Sequence, residues 1–364
     1  MKSFGAGIAA AMLAAILFLN TSVGAYSAEH AILLDADTSR ILYEKAADDR
    51  ALIASTTKIM TALVVCEQCN VLDRVRIPHD AVGIEGSSIY LQEGEILTVQ
   101  ELLYGMMLHS GNDAATALAI YCGGTIEGFA QLMNDKAHRL GLENTHFENP
   151  HGLDSPGHYS TAKDLAILAA YAMNNPIFQK TVSAKQVKIG QRHLQNHNKL
   201  LWRFDGADGV KTGYTRAAGR ILVSSANRNG RRLVAVTINA PDDWNDHCAL
   251  LENGFSAFKR LELVKKGTRI GYTEVAGGVA GQVELLAAED FSYSLADHES
   301  VNFQLQSCGF VYAPVVCGQY AGIMYVIVDG TAVGKVPLVF GNTVEQTIEI
   351  KNPIWLRIFG RKSK

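Results

Sequence analysis

The amino-acid sequence predicts an α/β (α+β) domain, in which helices flank a sheet and a helical insert interrupts it, followed by a small C-terminal all-β domain. Two observations support this fold class. Strand patterns near both ends of the first 263 residues flank a largely helical middle, and residues 264–350 are rich in valine, glycine and threonine. The chain has 364 residues, 48% of them hydrophobic, which is enough for more than one domain.

The first strands and helices can be placed from local patterns. Ala31 to Tyr43 reads as two short strands joined by a polar turn, which predicts a hairpin. Helical periodicity follows at Ser55 to Val65. It returns at Thr98, where Glu101 three residues later completes a capping-box pattern.

Strand character reappears in the second half of the first domain. The predicted strands are Val187 to Ile189, Gly219 to Ser225 and Arg232 to Asn239. A helix over about Asp243 to Arg260 would cover the sheet. The composition changes after Leu263, so we expect a domain of residues 29–263 that ends there.

Residues 264–350 predict the small β-rich domain, with a hairpin turn at Asp329 and Gly330. The last residues, 351–364, mix aromatic, aliphatic and basic side chains, as segments that lie on a membrane surface do. Peripheral membrane contact through this tail is one interpretation. A packed or frayed terminus is the other.

The amino terminus is typical of a secretory signal peptide. Lys2 precedes an apolar run from Phe4 to Leu19, and candidate cleavage positions follow at Ala25 and Ala28. A permanent transmembrane anchor is the alternative, but the run is shorter than the roughly 20 apolar residues that a spanning helix needs. We therefore predict a signal peptide at residues 1–28 and an exported protein, at the cell wall or the outer face of the cytoplasmic membrane.

Charge and cysteine content limit the partners further. The formal net charge is −3, so there is no broad basic field to bind nucleic acid. Cys66 and Cys69 have the spacing of a redox motif, but their apolar helical surroundings favour buried free thiols. The sequence leaves the disulfide state of all six cysteines open.

Three short motifs carry the candidate chemistry. Ser55 and Lys58 lie three residues apart at the start of an apolar helix, so their side chains share one face, as a nucleophile and its base require. About one such Ser-x-x-Lys match is expected by chance in a chain of this length. The match gains weight because Ser110-Gly111-Asn112 and Lys211-Thr212-Gly213 follow in order. Penicillin-binding proteins and class A β-lactamases carry a set of this type with aspartate in the middle position of the second motif, where this chain has Gly111.

Together with their flanks, these motifs resemble the low-molecular-mass D-alanyl-D-alanine carboxypeptidases of the penicillin-binding protein superfamily. The resemblance covers most of the mature chain and implies a β-lactamase/transpeptidase-like first domain. The five ordered segments that carry it are Ala54 to Thr61, Glu85 to Ser88, Leu108 to Ala115, Asn149 to Leu153 and Asp208 to Thr215.

The resemblance implies that Ser55 is the acylated nucleophile and Lys58 its base. The pKa of a free lysine is about 10.4, so Lys58 can accept the proton only where burial and the charge of Lys211 favour the neutral amine. Ser110 would relay a proton between the lysine and the leaving group. Asn112 would contact the peptide backbone of the substrate.

The same resemblance gives the third motif its roles. Lys211 and Thr212 would receive the terminal carboxylate of the substrate, immediately before a strand that forms the edge of the cleft. Gly213 would leave room for the substrate to pair with that strand. The backbone N–H groups of Tyr214 and Ser55 would form the oxyanion hole, and no role is assigned to the Tyr214 side chain.

The implied reaction removes the terminal D-alanine from peptidoglycan stem peptides, through an acyl-enzyme that water hydrolyses. β-Lactam antibiotics mimic the D-Ala-D-Ala dipeptide and would acylate Ser55. The sequence departs from the family pattern at His197, where many relatives carry an arginine that helps to bind the carboxylate. Carboxylate binding at that position is therefore in doubt and would depend on pH.

Other functions remain to be tested against this one. His193 and His197 are four residues apart and could bind a metal from one helical face, but no His-Glu-x-x-His accompanies them, so we predict no metal and no cofactor. The remaining alternatives are a D,D-endopeptidase with the same catalytic residues, a β-lactamase with a positioned carboxylate, and a non-catalytic penicillin-binding sensor.

Overall fold

The computed structural model describes residues 26–347. The predictions for the apolar run before residue 26 and for the tail at residues 351–364 lie outside the described residues. Within residues 26–347, no helix has both the length and the apolar character needed to cross a membrane.

The first domain is built from nine strands and eight helices. In chain order they are β1 (His30–Asp35), β2 (Arg40–Lys45), α1 (Lys58–Gln68), β3 (Arg74–Arg76), β4 (Ile96–Thr98), α2 (Val99–Leu108), α3 (Asn112–Gly123), α4 (Ile126–Arg139), α5 (Ala162–Ala172), α6 (Pro176–Ser183), β5 (Gln186–Ile189), β6 (Arg192–Gln195), α7 (Leu200–Arg203), β7 (Ala207–Thr215), β8 (Gly219–Arg228), β9 (Arg231–Ile238) and α8 (Asp243–Ala257).

Five of these strands form the main sheet, in the order β2-β1-β9-β8-β7, with every neighbouring pair antiparallel. Alternate residues of the strands face opposite sides of the sheet. Ile32 and Val234 belong to the core on the side of the helical insert, whereas Leu33 and Leu233 pack with Leu250 of α8 on the other. Every residue of β9 is buried, because helices cover the sheet on both faces.

Most predicted elements are present. The hairpin at residues 31–43 is confirmed by β1 and β2, and Thr98 caps α2 with the predicted capping box. The helix predicted from Ser55 starts later, at Lys58, because Ala54–Thr57 forms a 3₁₀ turn. The helix predicted to reach residue 260 ends at Ala257, and the chain continues directly into a strand.

The second domain consists of strands. They are β10 (Phe258–Val264), β11 (Arg269–Ala276), β12 (Gln282–Ala287), β13 (Phe291–Ala296), β14 (Val301–Ser307), β15 (Phe310–Tyr312), β16 (Tyr320–Val328) and β17 (Thr331–Phe340). Six of them form a sheet in the order β14-β16-β17-β12-β11-β15, and β10 pairs with β13. The predicted hairpin turn at Asp329 and Gly330 joins β16 to β17.

The two domains are joined by polar contacts as well as by the chain. The carboxylate of Asp35, at the end of β1, is fully buried and accepts hydrogen bonds from Arg231 (2.8 Å) and from Ser294 of the second domain (2.6 Å). Arg40 forms an ion pair with Glu299 nearby. The predicted boundary after residue 263 falls within β10, and the exact border between the domains stays a prediction.

Candidate active site

The Ser55 hydroxyl lies in a tight turn at the start of a buried helix. The 3₁₀ turn at Ala54–Thr57 is closed by the Thr56 N–H, which donates to the Ile53 carbonyl at 3.1 Å. The turn leaves Ser55 half-exposed at the wall of a cavity of about 330 Å³. The helix α1 that follows packs its apolar residues into the core, which fixes the turn in place.

The amine of Lys58 lies at the centre of the site and is fully buried. Its Nζ contacts Ser55 Oγ at 3.0 Å, Asn112 Oδ1 at 2.7 Å and the His151 carbonyl oxygen at 2.6 Å. Burial, and then the positive charge of Lys211, lower the pKa of this amine well below its ordinary value. The environment therefore favours a neutral amine beside the serine hydroxyl.

The second motif approaches Lys58 from the start of α3. Asn112 is the first residue of that helix; its backbone N–H donates to the Ser87 carbonyl at 2.7 Å and its Nδ2 donates to the Glu85 carbonyl. Asp113 accepts hydrogen bonds from the Ser88 hydroxyl and from backbone N–H groups of the same loop. The loop around residues 85–88 thereby fixes the orientation of the asparagine.

A loop that the motif analysis did not assign a role also reaches the site. Asn149 to Leu153 was one of the matching segments, and its His151 carbonyl is a direct acceptor for Lys58. The preceding carbonyl, of Pro150, accepts a hydrogen bond from Thr61 of α1 at 2.6 Å. The segment thus holds α1 at two points, Lys58 and Thr61. Any residue type can supply a backbone carbonyl, so no single residue in the sequence marks this acceptor. Only the resemblance of the whole segment to the family pattern indicated that it lies at the site.

Gly152 in this loop offers a test of the packing. It has a φ of +86°, and a Cβ added there would lie 1.9 Å from the Ala54 carbonyl oxygen, next to the nucleophile. We expect Gly152→Ala to lower the free energy of unfolding by about 3 kcal/mol, from backbone strain and overpacking.

Gly141→Ala is the matched control, because that residue has a φ of +71° and nothing within 4 Å of an added Cβ. It should lose only about 1 kcal/mol. Thermal unfolding of the two variants measures the difference. Equal losses in both would contradict the packing described here.

The third motif contributes a second buried lysine. Lys211 Nζ donates to Ser110 Oγ at 3.1 Å and to the Thr212 carbonyl at 3.0 Å. Burial lowers the pKa of this amine to about 7. Ser110, whose φ is +63°, therefore lies beside Lys211 and lines the same cavity as Ser55.

Strand β7 forms the edge of the sheet that faces the cavity. The motif of Lys211, Thr212 and Gly213 was expected immediately before a strand. This expectation was wrong, since the motif lies inside β7. A Cβ on Gly213 would lie 3.3 Å from Ser55 N and 3.2 Å from the Ile53 carbonyl oxygen, so the strand passes close to the nucleophile. Tyr214 points outward with 68% of its surface exposed.

The rest of the cavity wall includes His197 and the pair Arg220–Asp243. One side of the His197 ring is exposed and the other is packed against the protein. This packing, followed by the charges of Lys211 and His109, lowers the pKa of the ring to about 4. It is therefore neutral near pH 7 and cannot replace the cation of an arginine. The Asp243 carboxylate accepts two hydrogen bonds from Arg220.

The structure brings all eight predicted site residues to one cavity or its immediate wall. They are Ser55, Lys58, Ser110, Asn112, Lys211, Thr212, Gly213 and Tyr214. The alternative metal pair fails, because His193 lies on strand β6 and not on a helix shared with His197. Within residues 26–347, no group of three or more histidine, cysteine or acidic side chains is arranged to hold a metal ion.

The fold and the site are those of a serine hydrolase in which a lysine amine, and not a histidine, lies beside the nucleophile. A family model described as D-alanyl-D-alanine carboxypeptidase matches residues 19–242, and one described as the C-terminal domain of penicillin-binding protein 5 matches residues 258–346. The chain belongs to this D-alanyl-D-alanine carboxypeptidase family of penicillin-binding proteins, as its motifs predicted.

Individual relatives agree over most of the chain. It is 34% identical over 334 residues to the D-alanyl-D-alanine carboxypeptidase DacF of Bacillus subtilis, covering 87% of this chain and 86% of the relative. It is 33% identical to DacC of Escherichia coli, covering 86% and 84%. The structure of penicillin-binding protein 5 from Haemophilus influenzae aligns with a TM-score of 0.78 at 30% identity, over 88% of this chain and 98% of that one.

Proposed function

We propose that this carboxypeptidase removes the terminal D-alanine from peptidoglycan stem peptides through an acyl-enzyme on Ser55, and that β-lactam antibiotics acylate the same hydroxyl. The observation that carries the proposal is the 3.0 Å contact between Ser55 Oγ and the buried amine of Lys58. An unprotonated amine at that distance can accept the hydroxyl proton as the oxygen attacks.

The hydrogen bonds of Lys58 set the direction of that proton transfer. A neutral amine has two N–H groups, which suit the oxygen atoms of Asn112 and His151 at 2.7 and 2.6 Å. Its lone pair is then left for the third neighbour, the Ser55 hydroxyl. The first step forms a bond from Ser55 Oγ to the carbonyl carbon of the penultimate D-alanine and moves the serine proton to Lys58.

The third motif and Asn112 position the substrate for this attack. Lys211 and Thr212 receive the terminal carboxylate, and the open edge of β7 pairs with the substrate backbone. The N–H groups of Ser55 and Tyr214 donate to the developing oxyanion. The second N–H of the Asn112 amide is directed to a substrate carbonyl, since the first already donates to Glu85.

The leaving group and the water complete the cycle. The carbon–nitrogen bond breaks, and the proton from Lys58 passes through the Ser110 hydroxyl to the D-alanine amine. Water then attacks the ester on Ser55, gives its proton to Lys58, and releases the shortened stem peptide. We expect deacylation of a β-lactam adduct to be slow, since the Asp243 carboxylate at the cavity wall already accepts two hydrogen bonds from Arg220.

The two buried lysines predict the pH dependence of kcat/KM for D-alanine release. Lys58 must be neutral, so the rate rises as the pH increases through its lowered pKa. Lys211 must be charged to receive the carboxylate, so the rate falls above about pH 7 in the free enzyme. In the enzyme–substrate complex, the bound carboxylate stabilises the charged amine of Lys211. The alkaline limb of kcat should therefore lie at higher pH than the alkaline limb of kcat/KM. Rates measured from about pH 5 to about pH 10 test this, and a flat alkaline side would contradict the role of Lys211.

A paired assay separates the proposal from its rivals. The protein is incubated with a fluorescent penicillin and, separately, with a peptide ending in D-Ala-D-Ala. We expect labelling together with released D-alanine. Labelling without release would indicate a sensor, and rapid turnover of the penicillin would indicate a β-lactamase.

We also propose that the protein is exported and acts at the cell wall or the outer face of the cytoplasmic membrane, where it contributes to cell-wall maturation and cell shape. Cleavage after Ala25, one of the two candidate positions, would keep the contacts that Tyr26 and Ser27 make with the rest of the domain. Ser27 bonds to the Asp246 carboxylate, and Tyr26 packs edge-on against Tyr43 at 4.9 Å. The basic tail at residues 351–364 provides peripheral membrane contact in this proposal.

A further inference from the structure

The catalytic cavity contains an ion pair that the proposed mechanism does not use to bind the substrate. Arg220 and Asp243 both line this cavity, together with Trp244. Arg220 lies on β8 and Asp243 is the first residue of α8, so the pair joins the sheet to the helix that covers it. A guanidinium at the wall of the cavity is in a position to meet an anionic part of a ligand.

The Asp243 carboxylate holds this guanidinium and leaves some of its donors unused. The Asp243 side chain is only 4% exposed, and it accepts a hydrogen bond from the Trp244 backbone N–H at 2.9 Å. Arg220 donates to its two oxygens at 2.7 and 3.0 Å, both times from the same nitrogen, Nη2. A guanidinium has five N–H donors, and the Arg220 side chain is 44% exposed, so the donors on Nε and Nη1 remain for a ligand.

The strand register places Arg220 beside the part of β7 that lies against the nucleophile. Arg220 pairs with Tyr214, the residue after Gly213, and Gly213 is the residue whose added Cβ would lie 3.3 Å from Ser55 N. Residues that pair directly across two strands share one face of the sheet, and so do residues two apart on one strand. Arg220 therefore shares a face with Thr212, which receives the terminal carboxylate under the proposed function.

The other basic side chains of the cavity are less suited to hold a carboxylate near pH 7. Burial lowers the pKa of Lys211 to about 7, so its amine is only partly charged there. The ring of His197, with a pKa of about 4, is neutral. Lys199 is exposed at the cavity wall and forms no ion pair with the rest of residues 26–347. Arg220, in contrast, is permanently charged and is held in one orientation by Asp243.

We propose that Arg220, held by Asp243, binds the terminal carboxylate of the substrate together with Thr212, and supplies from β8 the permanent cation that His197 cannot supply. This inference rests on the proposed function and adds a residue to its substrate site. Hydrogen bonds from a guanidinium to a carboxylate are roughly twice as strong as those between neutral groups. The pair therefore makes the cavity selective for peptides that end in a free D-alanine carboxylate.

The test measures kcat and KM for a peptide ending in D-Ala-D-Ala and for the same peptide with its terminal carboxylate converted to an amide. Arg220→Gln keeps a polar side chain but removes the charge. We expect it to raise KM for the free acid by about tenfold to hundredfold and to change kcat by less than about threefold, because the lost bond is present in both the bound substrate and the transition state. It should change kcat/KM for the amide by less than about twofold, because the amide has no charge for Arg220 to meet.

Arg228→Gln is the matched control. Arg228 lies on the same strand, forms an ion pair with Glu252 of α8 at 2.9 Å and packs over the ring of Phe255, but it does not line the catalytic cavity. The control should leave KM for the free acid within about twofold of the wild-type value. Lys199→Gln, which removes the unfixed cation of the cavity wall, should raise KM less than Arg220→Gln does.

An unchanged KM for the free acid in Arg220→Gln, an equal rise in Arg228→Gln, or a larger rise in Lys199→Gln would overturn the role of Arg220. Equal losses of kcat/KM for the acid and the amide in Arg220→Gln would overturn it as well. If the wild-type protein leaves the amide intact, the KM values for the free acid decide alone. Absence of both D-alanine release and penicillin labelling in the wild-type protein would overturn the proposed function itself.

Discussion

Ser55→Ala is expected to abolish release of D-alanine, with a loss in kcat on the order of 10⁴ or more. The reason is that the variant lacks the oxygen that forms the acyl-enzyme, while the amine of Lys58 keeps its bonds to Asn112 and His151. The substrate should still bind, because Lys211, Thr212 and the edge of β7 are unchanged. Steady-state kinetics with a D-Ala-D-Ala peptide measures the effect.

The control for this variant is Ser256→Ala, an exposed serine on α8 outside the catalytic cavity. It should retain the full rate, and both variants should unfold near the wild-type temperature. Substantial D-alanine release by the Ser55 variant would show that another nucleophile carries the reaction.

Lys58→Met has the second largest expected effect, a fall in the acylation rate of about 10² to 10⁴. Methionine keeps most of the volume of the buried side chain but cannot accept the Ser55 proton. The acid limb of the pH profile should also disappear, because it reports protonation of this amine. Stopped-flow acylation by a chromogenic β-lactam over a range of pH follows both changes.

Lys136→Met provides the comparison with a buried lysine that has a structural role. Lys136 is 7% exposed, forms an ion pair with Glu67 at 2.7 Å and lies on α4, away from the cavity. This variant should lose stability and keep its acylation rate. The account of Lys58 as the base would be wrong if the two variants lost acylation equally.

The sequence predicted the local elements better than their arrangement. Periodicity and turn chemistry, which depend only on residues close together in the chain, predict the hairpins, the capping box of α2 and the strands β8 and β9. The pairing of β1 with β9 could not be predicted that way. It matches Ile32 with Val236, and such distant partners are selected by burial on both faces of the sheet.

The boundaries that were wrong have physical reasons. Ser55 was expected at the start of a helix, but the chain first makes a 3₁₀ turn, which brings the hydroxyl to the cavity wall while α1 stays buried. The third motif was expected before a strand, but it lies within β7, whose outer edge pairs with no other strand of residues 26–347 and faces the cavity. In both cases the site departs from the simplest local pattern.

The candidate site was predicted as a set of side chains, and the structure adds backbone groups. The carbonyl of His151 and the carbonyls of Glu85 and Ser87 hold Lys58 and Asn112 in place. Backbone acceptors are available at every residue, so no single residue type marks them. Carboxylate binding at His197 was expected to depend on pH; packing, and then the charges of Lys211 and His109, lower the pKa of its ring to about 4.

The central claim is that one hydroxyl, that of Ser55, is activated by the amine of Lys58. Mapping the penicillin adduct tests it most directly, because trypsin cuts after Arg50 and after Lys58 and so isolates residues 51–58. We expect the mass of the intact penicillin on this peptide, with fragmentation that places it on Ser55. An adduct on the peptide that contains Ser110, or on any other peptide, would contradict the account.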